Sequence, residues 1–193
     1  MRSIGANGTA VGFAWLNDAF CSLTGVHLFL YELTDVLSLI PLGFVCAFAC
    51  LGLFQMIRRK SLLRVDRSLI ILGIFYIAVA VLFLFFEKCI INYRPILIDG
   101  NLEASYPSST TLLVLTVMPT SMMQLRARMR KGIFRSCVLG GGTLFSVFMV
   151  LARLLSGVHW LTDIIGGTLL SAGLVVMYDV LGHQKGEKKP RSY

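Results

Sequence analysis

The sequence predicts an all-α integral membrane protein: a bundle of five transmembrane helices, or six if the N-terminal segment also crosses, with an N-terminal interfacial amphipathic helix. Three observations predict it. Of 193 residues, 56 % are hydrophobic and only 15 % are charged, where a soluble domain carries about 25 % charged residues. The apolar residues fall in runs suited to a bilayer core of ~30 Å, which asks for about 20 residues per helix. The 18 Lys and Arg outnumber the 10 Asp and Glu, a formal charge of +8, and gather in alternate connectors. These features exclude a soluble enzyme and a disordered tail protein. Basic clusters so placed read as topology signals and not as a nucleic-acid surface.

The N-terminal segment 1–31 comes first. It holds Asn17, Asp18, Gly25 and His27 among apolar residues such as Phe13 and Trp15, with almost no connector before the next run. It reads as an interfacial amphipathic helix, with a sixth span as the alternative. The transmembrane bundle, 36–181, contains four well-qualified runs at 36–57, 68–86, 133–152 and 160–181. A fifth, 109–125, is shorter and carries Pro119, which a membrane helix tolerates by bending. Cys46, Cys50 and Cys137 lie inside apolar runs as small hydrophobes to be packed. No neighbouring ligand set completes a metal site around them.

Orientation follows from the cations. Arg58, Arg59, Lys60, Arg64 and Arg67 fill one connector, and Arg126, Arg128, Arg130, Lys131 and Arg135 fill another. Lys185, Lys188, Lys189 and Arg191 occupy a basic tail, 182–193. With five spans all three lie on one side, which the positive-inside rule makes cytoplasmic. The chain, 1–193, then reads as one multi-pass domain of a plasma or inner membrane. Four basic residues remain: Arg2, Lys88, Arg94 and Arg153. The last three sit in or beside the outer connectors, where topology disfavours positive charge, so a shared anionic ligand is their simplest explanation.

The first outer connector runs from Glu87 and Lys88 through Arg94-Pro95, Asp99-Gly100 and Glu103 to Pro107-Ser108-Ser109-Thr110. Pro95 excludes Arg94 from helical geometry, so the preceding helix should end near Lys88. Asp99-Gly100 is a turn signal. Pro107 followed by three hydroxyl residues reads as a helix start whose N–H groups suit an anion, although the hydroxyls could serve only as caps. Glu87, Asp99 and Glu103 read as solvated acids. In the second outer connector His159 and Asp163 are four residues apart, on one helical face. Asp163 could hold one imidazole nitrogen as N–H and leave the other lone pair free to attack. A satisfied polar contact at a helix start is the alternative for this pair.

In these residues the chain resembles the type-2 phosphatidic acid phosphatase superfamily of membrane lipid phosphatases. The third family motif, SR-x5-H-x3-D, appears as Ala152-Arg153, His159 and Asp163, with Ala152 in place of the Ser, a change of little expected consequence. Pro107-Ser108-Ser109-Thr110 stands for PSGH, and Lys88 with Arg94-Pro95 stands for K-x6-RP, one residue short. The resemblance implies that His159 is a nucleophile forming a phosphohistidine, with Asp163 as its orienting partner. It also implies that Lys88, Arg94, Arg153, Ser108, the Ser109 N–H and the Thr110 position surround the phosphoryl group. Phosphoryl transfer needs an in-line nucleophile and a fixed positive cradle, so three cations and a helix N-terminus suffice without a metal or cofactor.

The weightiest departure is Thr110, where the family carries the histidine that protonates the leaving oxygen. General acid catalysis is worth roughly 100- to 10,000-fold, and a lipid alkoxide needs it. A phosphate leaving group, with a relevant pKa of about 6, does not. The expected substrate is therefore a polyprenyl diphosphate such as undecaprenyl diphosphate, cleaved between its phosphates. The alternatives are a phosphatidic acid or phosphatidylglycerophosphate phosphatase and a non-catalytic lipid-phosphate-binding membrane protein.

Overall fold

The structure, a computed structural model, describes residues 1–183, so the basic tail expected from Lys185 to Arg191 lies outside the described residues. A two-residue antiparallel ladder, β1 (Arg2–Ser3) with β2 (Ala10–Val11), precedes the helices. These are α1 (Ala14–Thr24), α2 (Leu28–Leu37), α3 (Leu39–Arg59), α4 (Arg67–Lys88), α5 (Ser109–Arg128), α6 (Ile133–Leu155) and α7 (Leu161–His183).

Among the described residues, four stretches are long and apolar enough to cross a membrane: Leu28–Arg59, Arg67–Lys88, Ile133–Leu155 and Leu161–Gly182. They are apolar outside as well as inside. Phe54, Ile77, Leu84, Leu144, Leu169 and Val176 are all exposed, as lipid-facing side chains must be. Cys46, Cys50 and Cys137 are also exposed, so they belong to these outer faces and not to the packed core. The chain is a multi-pass membrane protein.

The N-terminal segment differs from its expected outline. Its helix α1 has 11 residues, about 16 Å at 1.5 Å per residue, too short for a ~30 Å bilayer core. A sixth span is thereby removed. Phe13, Trp15 and Leu23 are exposed along it, while Asn17 is fully buried. The first long apolar stretch begins at Leu28 and not near Val36, because α2 continues almost directly into α3. The interruption at Ser38 follows from Pro41, which has no N–H to donate to the carbonyl of Leu37.

Helix α5 lies at the centre, packed against α3, α4, α6 and α7. It is the least apolar of the long helices because its polar groups face protein and not lipid. Thr116 and Thr120 are buried and return their hydroxyls to the carbonyls of Leu112 (2.6 Å) and Thr116 (2.7 Å). Tyr76 of α4 meets the hydroxyls of Thr120 and Ser121 at 3.2 and 3.1 Å. Around them Phe48, Leu69, Leu72, Phe75, Leu112 and Tyr178 form the apolar core. Gly142 admits Met122: a Cβ there would stand 2.6 Å from the Met122 sulfur.

The two ends of the bundle differ. One carries the basic connectors, where Asp66 accepts hydrogen bonds from Gln55 (2.8 Å) and Arg59 (2.9 Å). The other carries the connectors 89–108 and 156–160. In the longer one Asp99 and Gly100 both have positive φ (49° and 77°) between the paired residues Ile98 and Asn101, a reversal that Asp-Gly favours. Tyr93 and Ala104 pair further back. Helix α4 ends at Lys88 and α5 starts at Ser109, both as the prolines require.

Candidate active site

His159 sits in the short connector before α7 and is 2 % exposed. The connector is shaped from outside by the N-terminal segment. Gly157 has φ 69°, and a Cβ on it would lie 2.1 Å from the Gly25 carbonyl oxygen, so only glycine fits. The His27 N–H donates to Ser156 O at 2.9 Å. Asn17 completes the first turn of α7: its Oδ1 accepts from Thr162 N (3.2 Å), and its Nδ2 donates to Thr162 Oγ1 (3.0 Å).

Ser105 orients the imidazole. His159 Nδ1 lies 3.1 Å from both the Ser105 carbonyl oxygen and the Ser105 Oγ. A carbonyl can only accept, so Nδ1 carries the proton and Nε2 the lone pair. Asp163 does not touch His159 directly. Its Oδ2 accepts from Ser105 Oγ at 2.5 Å and from the Trp160 N–H at 3.1 Å, and its Oδ1 accepts from Asn92 Nδ2 at 2.9 Å. The expected His–Asp contact is thus replaced by a relay through Ser105, because Asp163 points back to cap its own helix. Burial, reinforced by Arg153 and Arg94, holds the imidazole pKa well below its ordinary range.

Arg94 and Arg153 come together. Both guanidiniums lie over the ring of Tyr31, at 5.5 and 4.6 Å from its centroid. Arg153 reaches back from α6 to Asp35 (2.8 Å) and Thr34 (3.0 Å) on α2. Arg94 pairs with Glu103 across the hairpin at 3.1 Å, so Glu103 is both half-exposed and ion-paired. Among the described residues, the buried side-chain nitrogens and oxygens without a hydrogen-bond partner are Asn92 Oδ1, Arg94 Nε and Nη1, Arg153 Nε and His159 Nε2. All belong to this one site. Buried polar atoms are costly to leave unpaired, and four of these five are nitrogens of two cations and one imidazole.

Beside them is a slot of about 10 Å³, lined by Glu87, Arg94, Tyr106, Ser109 and His159 among others. Lys88 is not part of it. Helix α4 remains helical through Lys88, so Glu87 takes the position facing the slot and Lys88 is exposed, with no hydrogen bond or ion pair among the described residues. Ser108 is fully buried as the N-cap of α5, accepting from Thr111 N (3.5 Å) and Thr111 Oγ1 (3.1 Å). Thr110 faces a different space, an apolar cavity of about 450 Å³ between α3, α4 and α5. Asp35, Phe83 and Ser109 also line that cavity, so it adjoins the slot through Phe83 and Ser109. Among the described residues no three His, Cys, Asp or Glu side chains gather as a metal site would require.

Ser105, Asn92, Tyr31 and Asp35 had no motif to mark them. Asn92 and Ser105 lie inside the connector between two motifs, and Tyr31 and Asp35 precede every motif.

The family model of the PAP2 superfamily matches residues 84–184. The fold is similar to the crystal structure of a transmembrane PAP2-type phosphatidylglycerolphosphate phosphatase from Bacillus subtilis. The TM-score is 0.65 and the identity 17 %, over 93 % of this chain and 90 % of that one. No curated protein sequence matches.

Proposed function

The chain belongs to the PAP2 superfamily, and from that premise we propose that it is a lipid phosphatase acting through a phosphohistidine on His159, with a polyprenyl diphosphate such as undecaprenyl diphosphate as its preferred substrate. One observation carries this reading: the unpaired, buried Nε2 of a neutral imidazole stands with the unpaired nitrogens of Arg94 and Arg153.

Nε2 attacks the terminal phosphorus as the bond to the bridging oxygen breaks. The phosphoryl group passes to His159 and the lipid monophosphate leaves with that oxygen. Water then attacks the phosphohistidine, releasing phosphate and returning Nε2. Arg94, Arg153 and the Ser109 N–H hold the equatorial oxygens, where charge develops. The 450 Å³ cavity beside Ser109 accommodates part of the chain of a lipid arriving sideways from the bilayer. The positive-inside rule supports a site on the outer face of a plasma or inner membrane, with the basic end cytoplasmic.

Thr110 supports the diphosphate, since it supplies no proton and a phosphate leaving group needs none. Purified protein should release phosphate faster from a polyprenyl diphosphate than from phosphatidic acid or phosphatidylglycerophosphate, and His159→Ala should release none. Equal or reversed rates would overturn the substrate, and an active His159→Ala would overturn the nucleophile.

A second reading rests on Glu87, which lines the slot. As the carboxyl group of the slot it would serve as general acid to a departing alkoxide, and monophosphate lipids would be cleaved. Glu87→Gln should then abolish turnover of phosphatidic acid while sparing a diphosphate; equal effects on both would remove this role.

A further inference from the structure

At the end of the bundle opposite His159 there is a second polar cavity, of about 1040 Å³. Arg67 opens α4, Arg126 lies in the last turn of α5, Lys131 stands in the connector, and Arg135 lies in the first turn of α6; all four line it. None of these cations makes a hydrogen bond or ion pair among the described residues. The acceptors around them are engaged. Ser68 Oγ accepts from Arg128 at 3.1 Å, and the Gln124 side-chain oxygen also accepts from Arg128. Asp179, the one carboxylate in the lining, has interactions of its own. The Tyr178 hydroxyl accepts from Gln124 Nε2 at 2.5 Å, which leaves its own proton to donate. The cavity is therefore rich in donors and positive charge, and its acceptors are already in use. The positive-inside rule demands cations in these connectors, yet it does not demand that they surround one space or that the space have a hydrogen-bonding floor.

We propose that this cavity binds the phosphate of an anionic ligand, a site separate from the catalytic one. Ile71 and Met123 line it beside the cations, an amphiphilic surround of the kind that basic pockets between membrane helices use for lipid headgroups. Charge-assisted bonds from Arg to phosphate are the strongest contacts such a site offers. A phospholipid headgroup and a soluble phosphate monoester share this chemistry, and the binding experiment separates them.

The purified chain in neutral detergent is melted with phosphatidylcholine, with phosphatidylglycerol, or with soluble glycerol phosphate. Phosphatidylglycerol should raise the melting temperature by several degrees over phosphatidylcholine. Arg126→Gln/Lys131→Gln/Arg135→Gln should lose at least half of that shift. An equal shift with glycerol phosphate identifies a soluble ligand, and a shift with the lipid alone identifies a headgroup. Since the triple variant removes topology signals and can fail to insert, Tyr178→Phe serves as a charge-neutral control and should weaken the response to added ligand at least twofold. Absence of any anion-dependent shift in the wild type overturns the proposal. So does a full shift in Tyr178→Phe together with any triple variant that folds.

Discussion

Ser105→Ala separates two ways in which a carboxylate can serve a histidine. In a direct contact the carboxylate sets the imidazole tautomer, and neutralising it costs about 10,000-fold in kcat. Here the tautomer is set by the Ser105 backbone carbonyl, 3.1 Å from Nδ1, which the substitution leaves in place. Lost instead are the 3.1 Å contact of Oγ with Nδ1 and the 2.5 Å hydrogen bond to Asp163. A hydrogen bond to a charged group is worth about 1.5–3 kcal/mol. At 1.36 kcal/mol per tenfold, that predicts a loss in kcat of about 10- to 150-fold. Because Asp163 retains Asn92 and the Trp160 N–H, its position should hold and KM should change little. Initial rates of phosphate release at saturating lipid, alongside His159→Ala as the zero, measure this. A loss near 10,000-fold would mean that the hydroxyl and not the carbonyl governs the proton. A loss under twofold would mean that the relay to Asp163 is idle.

Four further outcomes follow from the same geometry. Since His159 is held neutral by burial and by Arg153 and Arg94, the acid limb of kcat/KM should lie below the ordinary histidine pKa of ~6.5; a limb at or above 6.5 refutes it. The unfolded chain takes up a proton below ~6.5 that the folded one refuses, so stability should be full above that pH and fall beneath it, and His159→Gln should shrink the loss of melting temperature between pH 6.5 and 5. Asn17→Ala should cost about 1–2 kcal/mol, as loss of a buried cap does, read as a lower melting temperature with a modest fall in activity; no change refutes its role in holding α7. Gly157→Ala should strongly lower both melting temperature and activity, because a positive φ costs roughly 1–2 kcal/mol before the clash with Gly25, and wild-type behaviour would deny the close approach.

Much of the scaffold was legible because it depends on local chemistry. Pro95 and Pro107 bracket the helix ends at Lys88 and Ser109, Asp99-Gly100 marks its reversal, and apolar runs mark the long helices. The meeting of Arg94, Arg153 and His159 could be inferred from charge that topology alone left unexplained. What could not be read is rotation and contact. One residue along a helix turns a side chain by about 100°, so whether Glu87 or Lys88 faces the slot depends on how far α4 continues. Ser105, Asn92 and Tyr31 act through distant partners, and no spacing encodes a contact across 58 or 71 residues. Asp35 is masked in the sequence because the apolar run begins beside it at Val36, whereas the helix that carries it is already under way at Leu28.

The resting pairings indicate how substrate gains the site under the proposed mechanism. A slot of about 10 Å³ holds about one water and no phosphate. Both cations, meanwhile, are occupied by carboxylates, Arg94 by Glu103 and Arg153 by Asp35. The pairs are unequal in a telling way. The arginine side chains are 9 % and 2 % exposed, their partners 41 % and 46 %. The half-exposed carboxylates can turn to water while the buried guanidiniums cannot move. A buried cation left without a counter-ion is costly, so each acid leaves only as an incoming anion replaces it. Glu103 sits on the connector hairpin and Asp35 sits above the break at Ser38, and both side chains are half-exposed. Phosphoryl oxygens can therefore take the places of the carboxylate oxygens on cations that stay where they are. Under the proposed mechanism, then, the cradle is fixed before the substrate arrives, and what yields is the pair of acids standing in for it.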